Sequence, residues 1–273
     1  MSPDGAHSAA SASSSDGAYA PRAGVIAELA WPAVRETTWS VAMMPWGATE
    51  AHNTHLPYGT DTLLGSEVAA RVAAHCAAEG VPVAVLPAMP FGVNTTQLDL
   101  PMTLNVMPST QQCVLHDIIR SLEPHGVRVL VLLNAHGGNE LRALVRELQP
   151  ATTIALVIVN WWQAGDASMF VEPGDHAGAI ETAAVLHVAP HLVAPRDVWG
   201  DGAARRSAFE GVRAGWAWIP RRWTQVTDDT GVGNPREATA EKGAAFVQQA
   251  VTRIAALCVQ LSRVDGDAEL YER

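Results

Sequence analysis

The chain has 273 residues, 48% of them hydrophobic and 17% charged, which is enough for one large core and excludes wholesale disorder or a collagen-like repeat. Its 18 basic against 28 acidic side chains give a formal net charge of −10. Phosphate neutralisation demands the opposite balance, so no nucleic-acid partner is expected.

Residues 1–22 are mostly Ser, Ala, Gly and Asp without periodic hydrophobicity, and read as a flexible tail ahead of a single domain over 23–273. They contain no apolar secretory core, and no apolar run approaches the roughly 18 uninterrupted residues of a spanning helix. A cytoplasmic address without a membrane partner is therefore expected. Short apolar runs then alternate with longer stretches at helical spacing, joined at Gly and Pro. Strands are expected at Ser40–Pro45, Val81–Leu86, Val127–Leu133 and Thr152–Val159, each nearly continuously apolar as strands covered on both faces are. Helices are expected near 61–79, 109–123, 139–148, 178–189 and 236–262. Ser109 with Gln112 three residues on has the form of a capping box, and Pro190 stops the fourth helix. In the last helix Val247, Ala250, Val251, Ile254, Cys258 and Leu261 make one apolar stripe. The alternation argues for an α/β fold, a mostly parallel central sheet flanked by helices. Cys76, Cys113 and Cys258 lack any C-x-x-C spacing and read as buried thiols.

Three polar clusters interrupt this pattern, each after a strand. In the first, Gly47-Ala48-Thr49-Glu50-Ala51-His52-Asn53-Thr54-His55 through Asp61, Glu50 and His52 lie two apart and so on one side of an extended segment. Asp61 opens the following helix, where a carboxylate is favoured. Two carboxylates and an imidazole suit divalent metals, and Asp61 has two oxygens with which to bridge a pair. Taken alone, the segment reads equally as a polar loop with a capping aspartate. The second cluster, Asn134-Ala135-His136-Gly137-Gly138-Asn139, ends a strongly apolar run in a glycine turn. The third, Gly174-Asp175-His176-Ala177-Gly178-Ala179-Ile180-Glu181-Thr182, holds His176 in a loop and Glu181 in the first turns of a helix. Loops after parallel strands emerge on one edge, where ligands bind at a topological switch point, so the three clusters are expected to share one site.

Other chemistries find no footing. There is no Gly-x-Ser-x-Gly elbow, no cysteine in these loops, no Walker A sequence and no strand-linked G-x-G-x-x-G. Nine tryptophans accompany only three tyrosines and four phenylalanines. Core or subunit packing explains such a surplus, while Trp46, Trp161 and Trp162, beside the expected site, are the candidates for a substrate wall. Arg221 and Arg222 next to Trp223 form either a reader of an anionic substrate or a solvated surface pair.

The three clusters, with Asp229-Thr230-Gly231-Val232-Gly233-Asn234-Pro235 and Ala238-Thr239-Ala240-Glu241-Lys242-Gly243 before the last helix, resemble the creatininase (creatinine amidohydrolase) family in order and spacing over about residues 25–260. The resemblance implies a single-domain creatininase-like fold, two divalent metal ions per subunit (Zn, Mn or Fe) and a ring-like homo-oligomer, with a hexamer expected. By position, Glu50, Asp61 and His136 hold one metal, and His52 with the bridging Asp61 holds the other. His176 matches an acid or base near the substrate, with Asp175 beside it as a further substrate contact. Creatininase carries an aromatic residue and then a metal-binding Glu directly after the His that aligns with His136, where this chain has Gly137 and Gly138. Glu181 is expected to fill that gap from the helix, as both metal ligand and catalytic candidate. The stretch His52-Asn53-Thr54-His55 also departs from the Gly-Pro that many relatives place between the two histidines. The implied activity is hydrolysis of a C–N bond in a small cyclic or linear amide through a metal-bound hydroxide, His176 passing a proton to the leaving nitrogen. A peptidase or deformylase of a biosynthetic pathway is the alternative, since family relatives include both. A catalytically silent metal-binding scaffold is a third, against which the intact Glu50, His52, Asp61 and His136 set speaks.

Overall fold

The four aliphatic runs pair side by side. In the computed structural model, which describes residues 20–264, they are β1 (Val41–Trp46), β2 (Val83–Val85), β3 (Val129–Asn134) and β4 (Ala155–Asn160). All pairings are parallel, in the order β2-β1-β3-β4, with Val41 opposite both Val83 and Val129, and Val129 opposite Ala155. Successive side chains alternate between faces. Met43, Val131 and Leu133 therefore enter one core, while Ala42, Met44, Leu130 and Leu132 enter another.

Nine α-helices are described: α1 (Trp31–Glu36), α2 (Thr60–Ala78), α3 (Pro108–Leu122), α4 (Leu141–Leu148), α5 (Trp161–Ala164), α6 (Ala179–Val188), α7 (Glu210–Arg213), α8 (Trp223–Val226) and α9 (Ala240–Leu261). Residues of α2, α6 and α9 close the first core, and residues of α3 and α4 the second. The five long helices follow the expected spans to within a few residues. The short α1, α5, α7 and α8 offer only a turn or so each, too little for an apolar stripe to mark them.

Several expectations need correction. Residues 1–19 of the proposed tail lie outside the described residues, but Arg22 does not hang free: its Nε donates to Glu28 at 2.8 Å and its Nη1 to Glu67 at 3.3 Å. Helix α3 begins at Pro108 rather than through a Ser109 cap, because the fixed φ of proline suits the first helical position. Helix α9 begins at Ala240, where Thr239 Oγ1 accepts from Lys242 N at 3.2 Å and residues 236–239 stay outside the helix. Cys76 and Cys258 are buried, whereas Cys113 is exposed on the polar side of α3. By length and composition α9 could cross a membrane. Its apolar stripe is instead buried against α2 and α6, from Phe246 to Leu261.

The topology positions the site. The chain leaves β1 toward β2 on one side of it, and leaves β3 toward β4 on the other. Loops following β1 and β3 thus diverge from adjacent strands and leave a crevice at their C-terminal ends.

The α6–α9 contact depends on one glycine. A Cβ at Gly243 would lie 1.8 Å from the backbone oxygen of Ala183. Alanine is the better helix former by about 1 kcal/mol, yet Gly243→Ala is expected to destabilise the fold by about 1–3 kcal/mol through overpacking, read as a lowered Tm in thermal unfolding.

Candidate metal centre

Strand β1 delivers the first cluster. Glu50, His52 and Asp61 are each no more than 1% exposed, and His136 and His176 only 7%. The loop after β1 carries Glu50 and His52, the first turn of α2 carries Asp61, the turn after β3 carries His136, and the segment before α6 carries His176. His52 Nε2 lies 2.9 Å from Asp61 Oδ1. His136 Nδ1 lies 3.0 Å from Glu50 Oε1 and 3.2 Å from Asp61 Oδ2. His176 Nδ1 lies 3.6 Å from Glu50 Oε1.

The other nitrogen of each ring is held by the main chain. His52 Nδ1 donates to Glu50 O at 3.1 Å, His136 Nε2 to Val93 O at 3.1 Å, and His176 Nε2 to Ala51 O at 2.7 Å. A neutral imidazole that donates at one nitrogen presents a lone pair at the other. With Nδ1 unprotonated, His136 and two carboxylate oxygens converge lone pairs on one point, a repulsion that a proton on Nδ1 or a metal cation between the groups relieves. Apart from that contact, Glu50 Oε1 and Asp61 Oδ2 are buried without a hydrogen-bond partner. Donors about 3 Å apart fit ligand bonds of about 2.1 Å, so this chain's residues suit divalent ions. Three groups can hold one: Glu50-Asp61-His136, His52-Asp61-Glu181 and Glu50-His52-His176, the donor atoms within each lying within 4.8 Å of one another. The first two share Asp61.

The electrostatics carry the same demand. Burial works against the His52 imidazolium, but Asp61, Glu181 and Glu50 outweigh it and raise the ring to about 10. His136 is likewise raised over the cost of burial, by Glu50 and Asp61. Burial opposes the charged forms of Glu50 and Asp61, yet the neighbouring histidines keep both below the usual carboxylate range. Glu181 is pushed up to about 7, by burial first and by Asp61 against the pull of His52. Burial and the charge of His52 hold His176 below the ordinary imidazole value. His55 is outside the cluster, its Nε2 2.8 Å from Thr182 Oγ1 and its ring stacked on Trp199; burial lowers it to about 4.

Glycine at position 138 has a steric cause. A Cβ there would lie 2.4 Å from both His136 Nε2 and Val93 O, so this turn has no room for a ligand-bearing side chain. Glu181, entering from α6, is oriented by the N–H of Ala177, which donates to its Oε2 at 2.5 Å. Ala177 itself sits at φ 51°, a conformation that costs a non-glycine residue strain. Asn53, at φ 52° between the loop histidines, is a residue type that tolerates the left-handed region.

Not every residue singled out in the sequence reaches the centre. Trp46 fills the second core and donates its indole N–H to Phe91 O at 3.1 Å; Trp161 packs edge-on against Phe246 in the first core. Neither forms a substrate wall, because both lie at strand ends turned toward a helical layer. Trp162 does line a cleft of about 120 Å³ with Asp175, His176 and Glu181. Asp175 stands exposed at its rim, 2.5 Å from Arg221. Two neighbours escaped the sequence reading. Gln97 donates to Glu50 from the irregular segment before α3, where no periodicity marks it. Trp223 meets His176 edge-on at 5.1 Å; its only signal was the Arg-Arg-Trp run. Asn139 braces the histidine turn, accepting from Val93 N at 3.2 Å and from Gln111 at 2.9 Å.

Comparison with known proteins matches the family profile described as creatinine amidohydrolase to residues 27–258. The chain belongs to the creatininase family. It is 31% identical over 226 residues to the mycofactocin precursor peptide peptidase of Mycobacterium tuberculosis, covering 78% of this chain and 84% of that protein. It is 30% identical over 176 residues to the creatinine amidohydrolase of Pseudomonas putida, covering 56% and 66%. The crystal structure of a putative creatinine amidohydrolase from Bacteroides fragilis superimposes with a TM-score of 0.86 at 36% identity, covering 92% of this chain and 99% of that one. Creatininase structures described as Mn and Zn-Zn forms superimpose at 0.73 with 24% identity over 89% of this chain and at least 99% of theirs, which shows the fold alone.

In the metal-free protein the carboxylates raise His52 to about 10 and so keep it protonated near neutral pH, and a ligand must be neutral. Zinc titrated into the metal-free protein at pH 7.5 is therefore expected to release at least one proton per chain. Calorimetry in buffers of different ionisation enthalpy reads this as a buffer-dependent heat; a buffer-independent heat contradicts it.

Proposed function

We propose that this member of the creatininase family is a metal-dependent amidohydrolase with a binuclear centre. The observation that carries this is the pair of donor groups that share the buried Asp61. Glu50, Asp61 and His136 would hold one ion; His52, Asp61 and Glu181 would hold the other, Glu181 standing where the Gly138 turn leaves no room for a ligand. Zn and Mn are the favoured ions, since solved creatininases carry them. Bound there, such ions supply the Lewis acidity that polarises an amide carbonyl and lets water ionise near neutral pH.

His176 is the proposed acid and base. Its Nε2 is committed to Ala51 O, so proton exchange is confined to Nδ1, which faces the donor cluster. Held neutral by burial and by His52, the ring can take a proton at Nδ1 and return it to the leaving nitrogen. Trp162 and Asp175, on the walls of the cleft, would position the substrate. Homo-oligomerisation, as a hexamer, belongs to the same proposal, with Trp216 and Trp218 exposed as available apolar surface.

A peptide substrate is the second reading, favoured over a small cyclic amide by the identity to the mycofactocin precursor peptide peptidase over most of both chains. Deformylation has no observation of its own in its favour. A silent scaffold fits poorly with a neutral, buried His176 beside the donor cluster.

Metal analysis of the purified protein is expected to give two ions per chain, and dialysis against a chelator to abolish amine release from amide substrates until Zn or Mn is restored. Glu181→Gln is expected to keep one ion of the two; two tightly held ions in that variant remove Glu181 from the ligand set. His176→Ala is expected to lower kcat by about 10²–10⁴ with both ions retained, and an unchanged kcat excludes His176 from the chemistry.

A further inference from the structure

Beyond the small cleft over Glu181 and His176, the surface opens into two more. The next, of about 480 Å³, shares Gly174 and Asp175 with the first. The last, of about 910 Å³, shares Ala204 and Val232 with the second. Through these shared residues the three clefts adjoin in series from the metal centre. A molecule no larger than a single ring needs only the first; an extended chain can occupy all three.

Charge changes sign along this series. Glu172, Asp175 and Asp201 line the middle section. The far section is lined by Arg205, Arg206, Arg213, Arg221 and Arg222, five of the chain's 18 basic side chains, and by no carboxylate. In a protein of net charge −10, such a concentration makes a local positive field that favours an anion. Part of that charge is paired within the chain: Arg205 pairs with Asp228, and Arg221 pairs with Asp175 while lying 4.6 Å over the Trp223 ring. Arg213 Nη1 donates to the carbonyls of Ser207 and Ala208 at 2.9 and 2.8 Å. Arg206 and Arg222 have no carboxylate partner among the described residues. Phe209 and Ile219 add apolar wall to the same section.

We infer that this arginine-lined section binds the terminal carboxylate of an extended amide substrate, with Arg206 and Arg222 as its readers. Guanidinium forks match a carboxylate bidentately, the apolar wall accepts the chain that carries it, and the acidic middle section repels an anion placed nearer the metals. A short peptide with a free C-terminal carboxylate has this pattern; a neutral ring does not. That the bound anion is a substrate rests on the amidohydrolase proposal, whereas the carboxylate site itself does not.

The test uses the metal-loaded protein and acetylated peptides of two to five residues built from Ala, Leu and Phe, each as free acid and as C-terminal amide. Calorimetric titration is expected to give, for at least one length, a Kd at least tenfold lower for the acid than for its amide. The Arg206→Gln/Arg222→Gln double variant is expected to bring the acid to the Kd of the amide, with metal content and Tm unchanged. Equal binding of acids and amides by the wild type, or a preference that survives in the double variant, overturns the inference. So does displacement of the acid by an equal concentration of inorganic phosphate, which would make the section a general anion site. Tight binding of acids without hydrolysis of any peptide would leave the carboxylate site standing and count against the amidohydrolase proposal alone.

Discussion

Asp61 is the hinge of the site. One of its oxygens faces His52 and the other faces His136, both at hydrogen-bond distance and both out of water. Two imidazoles from different loops can approach one carboxylate only if that carboxylate is immobile. The first turn of α2 supplies this: it fixes the backbone of Asp61, and the positive end of the helix favours the charge. The packing of α2 against α9, and of α9 against α6 at Gly243, is thus part of the site as much as of the core.

The sheet supplies the second constraint. Parallel strands send all their following loops to one edge, and the order β2-β1-β3-β4 makes the chain diverge there. Residues from Glu50 to Glu181, 131 positions apart along the chain, meet without any long-range covalent tie. What holds them is the register of β1 on β3, which sets Trp46 against Asn134 and so brings the loop of Glu50 level with the turn of His136.

Much of this was legible in the sequence, and the limits have physical causes. Continuous aliphatic runs made the four strands visible, fully buried in β1, β2 and β3 and partly buried in the edge strand β4, and the stripe of α9 was visible too. The clusters around Glu50, His136 and His176 were visible because metal-ligating residue types gather in the loops that follow such runs. Glu181 was visible only as the nearest carboxylate able to replace a ligand missing after His136, and the reason for its absence there, the space taken by the His136 ring and Val93 O, belongs to three dimensions. Trp46 and Trp161 were misplaced because closeness in sequence does not say which side of a strand end a ring turns to. Gln97 and Trp223 sit in irregular segments where no period exists to read.

The orientation of all three imidazoles by carbonyl groups of the main chain has a consequence for how such a catalyst diverges over time. A peptide oxygen cannot be lost by substitution, so the aim of the rings survives as long as the backbone path does. The residues around them are then free to drift, and a common scaffold can be retuned toward unrelated substrates without first dismantling what points its ligands inward.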